Sequence, residues 1–403
     1  MALPPTYYDF VQKLRPFVAA FAEQDAQDLL AQPHPPTTIH SVDDYDSRFA
    51  LCFEQVDISL LDHAAKRAGM SIEQAKSYLA ATLPQARTQF ASLYATVNHE
   101  YHCSVNFALA GKKTFHFSDN LTEHLANTEI NLKAALVQLP FPTCLFTFTS
   151  RSAINAMHNI RGDAGRWAMN TANLDYDAPV SVFLTVHPAG AGLPGRKLMI
   201  CAWHARLPNS SYLMLERELY LGDDWTLEQA LKTDWETLTP DNLGIGLKVN
   251  TNDDAIEPQG DDTFYTDGLA FYRIVLNAAL YLSSNQAELA ARESPCREIE
   301  ARAKNVASPS KRRKLLQTRG RYTALDYADV GASVGPIVIH KDVVDGNAGG
   351  TGGGKPMVRF MVRGHWRRQP HGPESQARKL IWIQPHYKGP DLAATINKPY
   401  VVK

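Results

Sequence analysis

The sequence predicts an α+β fold: a helical N-terminal region, a mixed α/β body with antiparallel strands, and a small basic C-terminal β-hairpin region. Three observations carry this expectation. Apolar residues recur at helical spacing through most of the first hundred positions. Short β-branched and aromatic runs then appear between helical stretches, without the regular strand–helix alternation of a parallel repeat. Near the C-terminus, two alternating runs are rich in Arg and Trp.

The elements follow in order. Over residues 5–31, Phe10, Leu14, Phe17, Val18, Phe21, Leu29 and Leu30 keep helical spacing, and Pro16 must end or kink one segment. Pro33, Pro35 and Pro36 break the chain. Two further helices are expected over 58–68 and 71–97, with Ser71 as N-cap and Gln74 completing a capping box. Residues 102–109 (HCSVNFAL) alternate partly and read as a strand. The runs 143–149 (TCLFTFT) and 180–187 (VSVFLTVH) have strand composition, and 197–204 (KLMICAWH) pairs naturally with the latter across PAGAGLPGR. Helices are expected over 120–138, 226–236 and 267–290. The last is apolar nearly all round and therefore buried. A strand is expected at 334–340, a flexible loop at 346–354, and a long-loop hairpin from 356–363 and 379–384. Four regions result: helical 1–100, an α+β body 101–290, a basic linker with a Gly-rich loop 291–355, and a basic aromatic β region 356–403. A chain of 403 residues suits two or three domains.

Charge is distributed unevenly. The chain carries 41 Lys and Arg against 42 Asp and Glu. Yet residues 291–403 hold 21 basic and only 9 acidic side chains, on an acidic remainder. Such a region either binds nucleic acid, through cations that displace phosphate counterions, or docks on the acidic body. The five cysteines are far apart and form no CxxC pair, which suits a reducing compartment. The start lacks a signal-peptide pattern. The most apolar stretch, 269–282, contains Arg273 and Asn277 and falls short of the ~18 residues of a membrane helix. A cytoplasmic protein without a membrane partner is expected.

Several motifs carry little. GGTGGGKP (349–356) nearly matches a phosphate loop, but Pro356 replaces the metal-binding hydroxyl and a strand follows. Asp253, Asp254, Glu257, Asp261, Asp262 and Asp267 crowd one segment without calcium-loop spacing. His99, Glu100, His102 and Cys103 look metal-like, but at a helix-to-strand change they would point apart. Ser150, Ser152, His158 and Asp163 lack a nucleophile elbow. No cofactor and no metal are expected.

The segment 362–390 differs. It places Arg363, Arg367, Arg368, Arg378 and Lys379 among Trp366, Trp382 and Tyr387, with His365 between. Interleaved cations and rings suit single-stranded nucleic acid, where cations track phosphates and rings stack on bases. They equally suit a peptide groove. They also suit a small twisted sheet with the two tryptophans as its core. A second basic run, Lys311, Arg312, Arg313 and Lys314, extends the candidate binding surface. His365 is the one weak candidate for a catalytic base, in an RNA-cleaving reading.

The R-G-H-W core (Arg363–Trp366) and the following W-I-Q-P run (Trp382–Pro385) resemble the C-terminal signature of a family of phage, plasmid and other mobile-element proteins that includes a type V-A anti-CRISPR. The resemblance implies a protein that evades host defence by binding the nascent polypeptide of a CRISPR effector and lowering its mRNA during translation. Its implied partners are that peptide or another protein target, with RNA or the ribosome. A purely structural interaction protein remains the other alternative to a nuclease.

Overall fold

The computed structural model describes residues 2–71, 73–74, 76–77, 90–159, 175–189, 195–206, 211–236, 262–337, 339–340 and 360–388. Its centre is a mixed sheet of seven strands in the order β5-β4-β3-β2-β1-β7-β6. These are β1 (Thr114–Phe117), β2 (Thr143–Phe148), β3 (Val180–Pro188), β4 (Arg196–Arg206), β5 (Ser211–Leu221), β6 (Leu289–Arg292) and β7 (Tyr327–Val330). β1 runs parallel to β2 and β7; the other pairings are antiparallel.

Both faces of the sheet are covered. β2 is buried at every position, which is why its sequence is apolar rather than alternating. On one face Leu145, Phe183, Cys201, Trp203 and Met214 pack against α1 (Tyr7–Leu14), α2 (Pro16–Leu30), α3 (Phe49–Ala68) and α4 (Ala91–Leu109). On the other, Phe146, Val182, Ile200 and Leu215 meet α5 (Asp119–Ala126), α6 (Arg151–Asn159), α7 (Leu227–Glu236) and α8 (Asp262–Ser283). α8 lies in that core, with Phe271, Val275, Leu276 and Ala279 fully excluded from solvent. No helix among the described residues is long and apolar enough to cross a membrane.

The expected α+β class is present: a helical N-terminal region followed by a mixed sheet body. Pro16 separates two helices and occupies the first turn of the second, where its missing N–H costs nothing. Ser71 and Gln74 exchange the two hydrogen bonds of a capping box, at 3.3 and 3.0 Å.

Four expectations are corrected. Residues 102–109 are not a strand but the end of α4. That helix lies between α2, α3 and the sheet, so burial on most sides erases the amphipathic contrast that marks a surface helix. The helix expected to reach 138 stops at Ala126, because the next backbone groups pair with Gly364 instead. Residues 308–314, expected as linker, begin α10 (Pro309–Arg319), which packs on α9 (Cys296–Lys304). The C-terminal hairpin joins β10 (His365–His371) to β11 (Ala377–Ile383). The segment β9 (Phe360–Val362) pairs instead with β12 (His386–Lys388), which also adjoins β8 (Ile339–His340). The phosphate-loop-like run 349–356, Asp163 and Asp253, Asp254, Glu257 and Asp261 lie outside the described residues, as do the side chains of Asp262 and Asp267.

Strand β5 was not anticipated. Its central Glu216, Arg217 and Glu218 break the apolar run, which the edge position of the strand permits.

Candidate functional site

The C-terminal hairpin is fastened to the body by its own signature residues. Gly364 lies against Thr128: its N–H donates to the Asn127 carbonyl at 2.9 Å, and its carbonyl accepts from the Glu129 N–H at 2.9 Å. A Cβ on Gly364 would fall 2.5 Å from Thr128 Oγ1 and 2.8 Å from Pro385 Cδ, so only glycine allows this approach. Next in the chain, Trp366 turns inward and donates from Nε1 to Asn277 Oδ1 at 2.8 Å. Across the hairpin, Trp382 is its register partner and donates from Nε1 to Thr128 Oγ1 at 3.0 Å. The two rings stack with centroids 6.2 Å apart, and Tyr281 and His124 pack on Trp382 edge-on. Gln286 closes the arrangement with hydrogen bonds to both backbone groups of Trp382.

Asn277 is the hub. It sits on the buried helix α8, fully inaccessible, and its amide donates to the carbonyls of Leu125 and Thr128 at 3.0 and 2.8 Å. Every polar atom of its side chain is therefore used, as a buried amide requires. A lone amide on a helix that is apolar all round was the sequence signal of a buried partner. The partner was unreadable because it lies 89 positions away.

This geometry corrects the expectation that Trp366 and Trp382 offer rings to bases or to a peptide. Both are core residues, 8% and 3% exposed, with their N–H groups already bonded. The reading with the tryptophans as a structural core is the one that holds. What the hairpin leaves in water is its charge. Because side chains alternate across a strand, His365, Arg367 and Lys379 lie on the face opposite the tryptophans. Arg368 and Arg378 share the tryptophan face but sit further along it, toward the turn, where both are exposed. Lys311, Arg312, Arg313 and Lys314 are all exposed on α10. Among the described residues no carboxylate pairs with any of these cations, whereas Arg319 on the same helix pairs with Glu300 at 2.7 Å. Arg363 is half-buried.

The two basic surfaces are built on different layers. The hairpin joins the core of α5 and α8. The α9–α10 pair is tied to the other layer through Thr323, whose hydroxyl donates to Asp9 and whose N–H donates to the Leu3 carbonyl.

A family model for AcrVA2-like proteins, the anti-CRISPR type V subtype A2 family, matches residues 115–387. The chain belongs to this family. The matched span opens in β1 and closes in β12, so it contains the sheet, the buried helix α8 and the anchored hairpin. Helices α1 to α4 precede it. The crystal structure of AcrVA2 is similar at a TM-score of 0.38 and 10% identity, over 94% of this chain and 96% of that one. No curated protein matches.

Within this anti-CRISPR family member, the remaining sequence candidates find ordinary roles. His365 is exposed and has no side-chain hydrogen-bond or ion-pair partner among the described residues. Ser150 caps α6, its Oγ accepting from the Ala153 N–H at 3.3 Å. His158 instead shares a 2.8 Å hydrogen bond with His204, and burial lowers the pKa of the latter.

Proposed function

We propose that the chain lowers the synthesis of a type V CRISPR effector by reading the effector's nascent polypeptide while its basic surfaces engage RNA or the ribosome. It acts in the cytoplasm of the host, encoded by a phage or other mobile element, and needs no cofactor. The observation that supports this reading is the asymmetry of the hairpin. Its two tryptophans are fixed inside the core, while Arg367, Arg368, Arg378 and Lys379 reach solvent without acidic partners among the described residues. Unpaired cations on a rigid ribbon suit phosphate neutralisation, which is sequence-tolerant. Sequence recognition is then left to the peptide-reading surface, which we assign to the acidic body, 101–290.

The chain binds rather than catalyses. Histidine-driven RNA cleavage needs a second group to give or take a proton, and His365 has none beside it among the described residues. The test replaces Arg367, Arg368, Arg378 and Lys379 together by Ala and measures RNA affinity over a series of salt concentrations. Each phosphate contact on single strands contributes roughly 0.7 to the slope of log affinity on log salt, so the variant loses up to about 3 units of slope. It also fails to lower a reporter mRNA that begins with effector codons. Unchanged affinity and slope overturn the RNA-binding assignment. RNA cleavage by the wild type that His365→Ala abolishes overturns the non-catalytic one.

A further inference from the structure

A second constellation lies on the opposite face of the sheet, far in sequence from the hairpin. In the helix α4, His99 and Cys103 are four positions apart and therefore share one face. That face looks onto β4 and β5, where Cys201 and Glu216 are register partners with side chains on the same side. His99 Nε2 lies 3.0 Å from Glu216 Oε2. The donor atoms of His99, Cys201 and Glu216 all lie within 4.8 Å of one another. Cys103 is in hydrogen-bonding contact with Cys201, and both thiols are 1% exposed. Glu100, between the two helical donors, points elsewhere and pairs with Arg15.

We propose that His99, Cys103, Cys201 and Glu216 form a structural zinc site. Tetrahedral zinc takes nitrogen, sulfur and carboxylate donors at about 2.0–2.3 Å, which sets the donor atoms roughly 3.5 Å apart. His99, Cys201 and Glu216 already lie near that spacing, and Cys103, which contacts Cys201, turns toward them to complete the set. Four protein donors leave no open position, which marks a structural rather than a hydrolytic centre. Entry is available, because the His99 and Glu216 side chains keep 15% and 28% of their exposure.

The site has a clear mechanical role. His99 and Cys103 precede the family-matched span, which begins at residue 115, while Cys201 and Glu216 lie inside it. The ion therefore staples the N-terminal helical layer onto the edge of the matched sheet.

The test uses the full chain, stripped of metal and titrated with Zn2+ in competition with a chromophoric chelator, and separately with Co2+. Binding of one Zn2+ per chain is expected, with a cobalt–thiolate charge-transfer band in the Co2+ form. Cys201→Ser weakens binding by more than the 10- to 100-fold typical of an outer-shell change. Glu216→Gln keeps the shape of a half-exposed side chain, folds as the wild type does, and still weakens binding at least tenfold. Cys144→Ser, whose thiol lies in the other core, leaves binding unchanged. Absence of stoichiometric binding by the wild type, a cobalt spectrum without a thiolate band, or undiminished binding by Glu216→Gln each overturns the proposal.

Discussion

Replacing Asn277 by Ala tests whether the family signature fastens the hairpin or merely decorates it. The wild-type amide makes three hydrogen bonds, to Leu125, Thr128 and Trp366. The Leu125 carbonyl keeps a second donor, the Thr128 N–H at 3.1 Å. The variant therefore orphans two buried groups, the Thr128 carbonyl and the Trp366 indole N–H. Each costs about 1–3 kcal/mol when left unpaired, so a loss of about 2–6 kcal/mol is expected. Trp366→Phe removes only the indole donor and orphans only Asn277 Oδ1, at about 1–2 kcal/mol. The two changes share one hydrogen bond, so the double variant costs less than their sum by about 1 kcal/mol or more. Urea unfolding reads the total, and native-state hydrogen exchange of the 365–383 amides shows whether the loss falls on the hairpin. A cost below about 1 kcal/mol for Asn277→Ala, with hairpin protection unchanged, refutes the claim that this network holds the ribbon in place.

Two further outcomes follow from the same structure. Gly364→Ala drives a methyl to 2.5 Å from Thr128 Oγ1 and 3.0 Å from the Ile383 carbonyl, and is expected to cost about 1–3 kcal/mol and to loosen hairpin exchange; wild-type stability refutes the close approach. His187 is 2% exposed with an unpartnered Nδ1, and burial holds its pKa down to about 4; His40, His102 and Lys197 add to the depression while Glu218 opposes it. The unfolded state, near 6.5, binds this proton more readily, so the contribution is complete above pH 6.5 and is lost as pH falls from 6.5 to about 4, by at most about 3 kcal/mol. His187→Gln flattens that part of the stability–pH curve, and an unchanged slope refutes it.

Three of the seven sheet strands, β2, β3 and β4, were legible because they are buried on both faces, and apolar runs such as 143–148 announce that directly, whereas β1, β5, β6 and β7 were not anticipated. The helix α4 was misread for the same reason. Burial on most sides turns Tyr101, Cys103, Val105 and Phe107 into an apparent two-residue alternation, although the backbone is helical. That error also scattered the HEYHC donors on paper. Once the segment is a helix, His99 and Cys103 fall on one face, and the metal reading becomes a geometric one. Its other half, the Cys201–Glu216 pair, was hidden because β5 was not recognised as a strand.

The C-terminal signature shows how a correct recognition can carry an inverted role. Trp and Arg interleaved along a strand read as a binding ribbon because both residue types are common at interfaces. Alternation separates neighbours: Trp366 faces the core and Arg367 faces water, so residues one position apart serve opposite purposes, while Arg368 and Arg378 reach water further along the tryptophan face. Within the two motifs, Gly364, Trp366, Trp382 and Pro385 are buried, whereas His365 and Gln384 are exposed. The identity of the buried four is dictated by Thr128 and Asn277, not by a ligand. The exposed cations of the hairpin can therefore be exchanged without disturbing the anchor.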